Sequence, residues 1–105
     1  MASGTFDDDV RRVVEQLTEG TVVTYGEVAR EAGHSGAARA VGTLLAREGA
    51  DLAWWRVVTS TGRLVPGHEA EHARRLASEG VLVAGVPPGV RRAGPHAGER
   101  ESPLA

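Results

Sequence analysis

The feature that most constrains the fold is a pair of helix signals separated by a short turn. Thr24, followed three residues later by Glu27, forms a capping box that opens a helix, and Gly33 ends that helix. Ser35 lies in the connection that follows, where it can cap a longer helix over residues 36–48. Two helices joined by a glycine-containing turn, the second longer than the first, predict a helix-turn-helix.

The residues before this pair predict a further helix, which begins after Thr5. Five apolar side chains recur on one face of it: Phe6, Val10, Val13, Val14 and Leu17. The aspartates at positions 7–9 lie at its N-terminal end, where the helix dipole favours anions. We interpret this acidic run as a solvated helix start.

The residues after the pair predict a small wing and a last helix. Two short runs, residues 56–58 and 63–65, flank a turn in which Gly62 supplies a positive φ, so we expect a β-hairpin. A helix over residues 68–79 follows and ends at Gly80. The fold class expected is mainly α: a helix-turn-helix or winged-helix-like domain with a small β-hairpin wing.

The length of 105 residues predicts one domain, residues 7–86, between an N-terminal tail of residues 1–6 and a C-terminal tail. The C-terminal tail, residues 87–105, lacks apolar periodicity, so we expect it to be disordered. No apolar run approaches the ~18–20 residues that a membrane span requires. We therefore expect no membrane partner and a cytoplasmic location.

The composition narrows the chemistry and the partners. The chain has no cysteine, which excludes disulfides, thiolate metal sites and thiol catalysis. The formal net charge of −2 argues against bulk electrostatic attraction to nucleic acid. The charge is unevenly distributed, however, because residues 30–63 hold five arginines against three acidic residues, a local charge of +2.

Three segments carry a family resemblance: Thr24-Tyr-Gly-Glu-Val-Ala29, Ala37-Ala-Arg-Ala-Val-Gly42 and Ala53-Trp-Trp-Arg-Val57. In this order and spacing they resemble the DNA-binding domain of the alkylguanine-DNA alkyltransferases, over roughly residues 7–81. Those enzymes carry a Pro-Cys-His-Arg-Val motif whose cysteine thiolate accepts the alkyl group. Trp54 stands at the cysteine position here, so the chain resembles the alkyltransferase-like proteins. The resemblance implies a lesion-binding protein that is not an enzyme.

The resemblance also implies roles for individual residues. Arg39 would enter the base stack, and Tyr25 would crowd the phosphate to drive nucleotide rotation. A recognition helix with a small-residue surface would press into the minor groove. The DNA-binding residues implied are Thr24, Tyr25, Ser35, Ala37, Ala38, Arg39, Gly42 and Ser60, and the lesion-pocket residues are Tyr25, Trp54 and Arg56. Alternatives stay open: a solvent-facing Arg39, a core Trp54, and core packing of Ala40.

Two further positions are interpreted from the loss of the nucleophile. Trp55 stands where the enzymes have a histidine that relays a proton to the cysteine. If the segment is extended, neighbouring side chains point in opposite directions, so we expect Trp55 mainly in the core while Trp54 lines the pocket. Glu79 matches the acid that orients the enzymes' histidine, and we expect it to cap or hydrogen-bond locally instead.

A second motif, the HExxH pattern from His68 to His72, is typical of zinc proteases. It falls in the first turn of a helix, on a face we interpret as polar, and the domain is small for a substrate cleft. His34 stays open as a third ligand. We expect no metal and no cofactor, and we expect His68 at the surface, with a contact to a bound base as the alternative.

The expected function is recognition of alkylated guanine in double-stranded DNA, by minor-groove binding and nucleotide flipping, to mark the site for nucleotide excision repair. The partners implied are lesion-containing DNA and nucleotide excision repair proteins; the protein is expected to be a monomer, associated with the nucleoid when bound. One alternative is a winged-helix DNA binder without lesion specificity, either a regulator or a nucleoid component. A protein-interaction module is the other, suggested by the negative net charge.

Overall fold

The computed structural model describes residues 5–85 and 89–90, and within them the architecture is mainly helical, as expected. The elements in chain order are α1 (Phe6–Glu15), β1 (Val23–Thr24), α2 (Tyr25–Glu31), α3 (Ala38–Glu48), β2 (Val57–Val58) and α4 (Glu69–Ser78). Two 3₁₀ turns, Gly49–Asp51 and Trp54–Arg56, lie between α3 and β2. Among the residues described, no helix is both long and apolar enough to cross a membrane.

Helix α1 begins where the sequence predicted it. The Thr5 hydroxyl accepts a hydrogen bond from the Asp8 amide at 3.1 Å, which caps the first turn. Val10 and Val14 are buried, since they share the apolar face. The aspartates at its start are not simply solvated, because Asp9 binds both Arg12 and His34. The predicted helix start after Thr5 is therefore confirmed, and Phe6, which the predicted tail of residues 1–6 also included, belongs to α1.

The helix-turn-helix is formed by α2 and α3. The capping box is confirmed: the Thr24 hydroxyl accepts from the Glu27 amide, and the Glu27 carboxylate accepts from the Thr24 amide. The expectation that Ser35 caps α3 is wrong. The helix starts later, at Ala38, with Ala37 as its N-cap residue and no side-chain cap, because the turn is closed by a backbone hydrogen bond between Ala37 and His34 instead.

The expected β-hairpin wing is corrected to a parallel two-stranded sheet. Strand β2 pairs with β1, with Val23 opposite Val57 and Thr24 opposite Val58. The physical reason is burial: both valines of β2 are inaccessible to solvent, as in parallel strands covered on both faces. The turn itself is present, since the Gly62 amide binds the Thr59 carbonyl at 2.8 Å.

The segment after this turn pairs with the chain's C-terminal part and not with β2. Arg63 forms an antiparallel bridge with Gly89, and the Val90 amide donates to the Gly62 carbonyl. Val90 is 9% exposed and packs in the core. Gly89 and Val90 fall in the predicted tail of residues 87–105. The rest of that tail, together with residues 1–4 and residue 86, lies outside the described residues.

Two apolar clusters form the core. The first lies among α1, α2 and α3, and the second lies under α4 and contains Val58, Leu64, Leu76 and Val90. Val57 belongs to the first cluster and Val58 to the second, because successive side chains of a strand point to opposite faces. Strand β2 therefore joins the helix-turn-helix to α4.

The closeness of Gly62 to Val90 generates a stability prediction. Gly62 and Gly80 both have φ of +85°, but a Cβ on Gly62 would overlap the Val90 carbonyl, whereas a Cβ on Gly80 meets no atom within 4 Å. Gly80→Ala should cost ~1–2 kcal/mol of unfolding free energy for the left-handed backbone alone. Gly62→Ala should cost about 1–3 kcal/mol more, from overpacking, in urea denaturation. Equal losses in the two variants would contradict the close approach.

Candidate functional site

A pocket of about 290 Å³ lies where α2, α3 and the 3₁₀ turn Trp54–Arg56 meet. A pocket that is mostly apolar with a few polar groups is typical of small-ligand sites. Its lining residues are Tyr25, Gly42, Leu45, Ala46, Gly49, Ala50, Trp54, Val65 and His68.

Helix α3 and its C-cap Gly49 line the pocket mainly with small residues, apart from the buried Leu45. Gly42, Ala46 and Gly49 are spaced four and three residues apart, which places them on one face of the helix. A Cβ on Gly42 would lie 3.9 Å from the Tyr25 ring, and one on Gly49 would lie 3.6 Å from the Trp54 Cβ. The small residues therefore let both aromatic side chains approach the helix and leave space between them.

Tyr25 is the first residue of α2 and lines the opposite side of this space. It is half-buried, and burial raises the pKa of its phenol above the ordinary value. The hydroxyl is therefore neutral near pH 7 and can both donate and accept a hydrogen bond.

Trp54 and Trp55 diverge, but not because the segment is extended. They occupy a 3₁₀ turn, in which successive side chains are about a third of a turn apart. Their rings meet edge to face with centroids 6.0 Å apart. Trp54 lines the pocket, whereas Trp55 packs against the second cluster. The Arg75 guanidinium lies over both rings, 4.7 Å from the Trp55 centroid and 6.0 Å from that of Trp54.

The structure corrects the placement of Arg56 in the pocket. Its guanidinium donates to both carboxylate oxygens of Glu79, at 2.8–3.2 Å, and to the Leu17 carbonyl at 2.8 Å. The two side chains are 15% and 7% exposed, so this is a buried, multiply bonded ion pair. Arg56 is not among the residues that line the pocket. It ties the 3₁₀ turn to α4 and to the end of α1.

The expectation that Glu79 caps or hydrogen-bonds locally holds for its backbone, since Glu79 is the C-cap residue of α4, but not for its side chain. Besides Arg56, its carboxylate accepts hydrogen bonds from the Trp55 indole at 2.8 Å and from the Gly20 amide at 2.9 Å. These donors lie 24 and 59 residues away in sequence. The Arg56 guanidinium, above all, lowers the pKa of this carboxyl to about 2, so the group is ionised at neutral pH.

The HExxH histidines are separated by the fold. His68 precedes α4 as its N-cap residue, is exposed and lines the pocket. His72 is completely buried, contrary to the expected polar face, and both of its ring nitrogens are hydrogen-bonded. His34 binds Asp9 instead. Among the described residues no group of three potential ligands is suited to a metal ion, so the zinc geometry is absent there.

The outer face of α3 presents Arg39 to solvent. Arg39 is exposed and forms no hydrogen bond or ion pair with the described part of the chain. Ala40 beside it is exposed, which contradicts the core alternative for this residue. Ala37 and Ala38 are half-buried at the start of the helix. The DNA contacts assigned to these residues stay predictions.

The other predicted DNA-binding residues occupy the loops and caps. Ser35 is exposed in the turn before α3, and Ser60 is exposed in the turn after β2. The Thr24 hydroxyl already accepts from the Glu27 amide, so its proton and one lone pair remain for another partner. Gly42 is half-buried and lines the pocket, one turn after the exposed Arg39 and on the same side of α3.

Several pocket residues were missed by the sequence argument. The helical spacing from Gly42 could have indicated Ala46 and Gly49, because residues four and seven positions on share a face. Ala50 gave no such signal, because it lies beyond the end of α3, in the 3₁₀ turn Gly49–Asp51.

A comparison with protein families shows which family the chain belongs to. Residues 5–81 match the model described as "6-O-methylguanine DNA methyltransferase, DNA binding domain". The chain belongs to this family. Its resemblance to the non-catalytic, alkyltransferase-like members is confirmed by the relatives and structures that it matches. The family's alkyl-accepting thiolate is absent, because the chain contains no cysteine.

Two relatives carry the same description. A protein of Escherichia coli (strain K12) called "DNA base-flipping protein" is 42% identical over 85 residues, which are 77% of this chain and 66% of that protein, just under two thirds of its length. A protein of Vibrio parahaemolyticus with the same name is 38% identical over 78 residues, which are 70% of this chain and 78% of that protein.

Solved structures agree with the fold. S. pombe Atl1, crystallised with damaged DNA containing O6-carboxymethylguanine, superposes with a TM-score of 0.73 at 28% identity, over 87% of this chain and 91% of that one. The Mycobacterium tuberculosis O6-methylguanine methyltransferase gives a TM-score of 0.64 at 27% identity, over 74% of this chain and 50% of the enzyme.

The buried ion pair generates a prediction about stability. Arg56→Met should lower the free energy of unfolding by about 3–5 kcal/mol at neutral pH, because it leaves the Glu79 carboxylate buried without its cation. Arg47→Met is the matched control, since Arg47 is exposed and pairs with exposed carboxylates, and it should cost less than about 1 kcal/mol. Similar urea midpoints for the two variants would contradict a supporting role for the pair.

Acid should unfold the protein through the same group. The folded-state pKa of Glu79, about 2, lies below its ordinary value of 4.5, so the unfolded chain binds more protons between these values. Its contribution to stability is complete above about 4.5 and is lost as the pH falls towards about 2. Urea titrations at several pH values should give a steeper acid loss for the wild type than for Glu79→Gln. Parallel curves would contradict the assignment.

Proposed function

We propose that the protein recognises alkylated guanine in double-stranded DNA, flips the nucleotide into the pocket beside Trp54 and leaves the alkyl group in place. The observation that carries the proposal is this pocket. Tyr25 and Trp54 form its aromatic walls, and the small residues Gly42 and Ala46 of α3 line it as well. The Trp54 indole stands where the family resemblance places the alkyl-accepting cysteine. The base-flipping named for the relatives and the damaged base in the Atl1 complex support this mode of binding.

The energetics of flipping match the groups available. Extruding a nucleotide costs a few kcal/mol of unstacking, which must be offset by new contacts. Stacking of a base on an aromatic side chain is worth ~1–3 kcal/mol, and Trp54 and Tyr25 offer two such surfaces. Arg39, exposed on α3 without a partner in the described chain, is the group proposed to fill the vacated space. Its guanidinium is planar and stacks well on bases.

The approach to DNA is proposed through the minor groove. This groove is ~6 Å wide, about half the width of the major groove, and a helix enters it closely only where its side chains are small. The start of α3 meets that requirement with Ala37, Ala38 and the exposed Ala40. Thr24, Ser35 and Ser60 are the proposed neutral partners of the phosphates.

The step after binding is proposed to be recruitment of nucleotide excision repair. A protein without the acceptor thiolate leaves the alkyl group on the base, so removal requires other enzymes. The proposal includes a cytoplasmic, monomeric protein that associates with the nucleoid when bound to DNA.

Binding to matched duplexes with and without a single O6-alkylguanine tests the proposal. The wild type should prefer the lesion by about tenfold or more, ~1.4 kcal/mol, and Arg39→Ala should lose most of that preference. Arg74→Ala is the control, because it removes the same charge from the exposed face of α4 and should keep the preference. Mass spectrometry of the DNA after incubation should recover the alkyl group unchanged.

Three outcomes would contradict the proposal. Equal affinity for both duplexes would leave a general DNA binder, and salt-independent absence of binding would favour a protein-interaction module. Loss of the alkyl group from the DNA would establish an enzyme.

A further inference from the structure

His72 is a buried titratable residue that the proposed function does not use. Its side chain is inaccessible to solvent, and its ring contacts the Trp54 indole edge to face, with centroids 5.0 Å apart. The Val65 amide donates to its Nδ1 at 3.1 Å, and its Nε2 lies 2.8 Å from the Trp55 carbonyl. A single side chain on α4 therefore contacts two segments that carry pocket residues.

The hydrogen bonds determine the protonation state of this ring. Because Nδ1 accepts a hydrogen bond from the Val65 amide, it carries no proton itself, and Nε2 must donate to the Trp55 carbonyl. The ring is therefore the neutral tautomer with its proton on Nε2, and both polar atoms are satisfied. Burial lowers the pKa of His72, which agrees with the neutral form.

We propose that His72 is a positioning residue, which fixes Trp54 and Val65 at the spacing that the flipped base requires. This inference rests on the proposed function. Trp54 projects from the turn whose Trp55 carbonyl His72 binds, and Val65 forms another part of the pocket wall. Without these two hydrogen bonds, His72 would no longer connect the 3₁₀ turn Trp54–Arg56 to the loop that contains Val65.

The same geometry makes the link sensitive to acid. A second proton on the ring would face the Val65 N–H and repel it, in a site that is inaccessible to solvent. The neighbouring charged groups are already engaged: Arg75 lies over the indoles, and Arg56 is bound to Glu79. On α4, Glu69 accepts a hydrogen bond from the Gly67 amide, Glu71 pairs with Arg74 and Arg75, and His68 precedes the helix. The preference for the lesion should therefore fall as the pH drops below the ordinary histidine range, ~6.5.

The test uses two variants of the full chain. His72→Leu keeps an apolar volume but loses both hydrogen bonds, whereas His72→Gln retains one donor and one acceptor. We expect His72→Leu to lower the preference for the O6-alkylguanine duplex by about tenfold, with binding to the unmodified duplex changed by less than about twofold. His72→Gln should restore most of the preference and remove its loss in acid. His68→Gln should retain the acid loss.

A readout without DNA separates this inference from the proposed function. In the free protein, the Val65 amide should exchange its hydrogen faster in His72→Leu than in the wild type or His72→Gln, and the indole N–H resonance of Trp54 should shift. If the wild type has no lesion preference, the proposed function fails, and these NMR signals alone decide whether His72 positions the pocket walls.

The inference is overturned by any of three results. One is unchanged Val65 exchange and an unchanged Trp54 resonance in His72→Leu. Another is an equal loss of affinity for both duplexes, which would mean that His72 serves only the fold. The third is an acid loss of preference that persists in His72→Gln, which would place the titrating group elsewhere.

Discussion

The buried pair of Arg56 and Glu79 is the interaction on which the rest of the structure depends. It joins the turn that carries both tryptophans to α4, and through the Leu17 carbonyl and the Gly20 amide it also holds the segment after α1. Taking two charges out of water is costly, and the cost is offset only if nearly every lone pair and proton is bonded. Glu79 meets that condition with three donor residues from two parts of the chain, so the orientation of the turn is closely defined.

The hydrogen bond from Trp55 to Glu79 keeps this network intact without the alkyl-accepting cysteine. The resemblance places a proton-relaying histidine at this position, and an indole N–H donates a hydrogen bond but cannot accept a proton. Trp55 donates to Glu79 and lies under the Arg75 guanidinium, so the hydrogen bond to the acid exists without a relay. The scaffold therefore needs the carboxylate, independently of the chemistry that the carboxylate supports in the enzymes. The Glu79 carboxylate therefore has a structural role even though the chain contains no cysteine.

The features that sequence reasoning predicted correctly are local ones. The capping box of Thr24 is encoded within four residues, and so is the positive φ of Gly62. The errors concern partners that are distant in sequence: β2 pairs with β1 across more than thirty residues, and Arg56 binds an acid 23 residues away. Periodicity describes which face of an element is apolar, but it does not identify what covers that face. The burial of His72 was missed for the same reason, since its partners lie outside α4.

The charge distribution bears on how selectivity would arise under the proposed function. Non-specific DNA affinity comes mainly from phosphate neutralisation, and a chain with a net charge of −2 has little net positive charge to supply it. Most of the binding free energy must then come from Arg39 in the base stack and from the base between Tyr25 and Trp54. Those contacts form only after flipping, which costs least at a base whose pairing is already weakened. A weakly charged surface combined with an aromatic pocket therefore favours damaged sites over the excess of intact DNA.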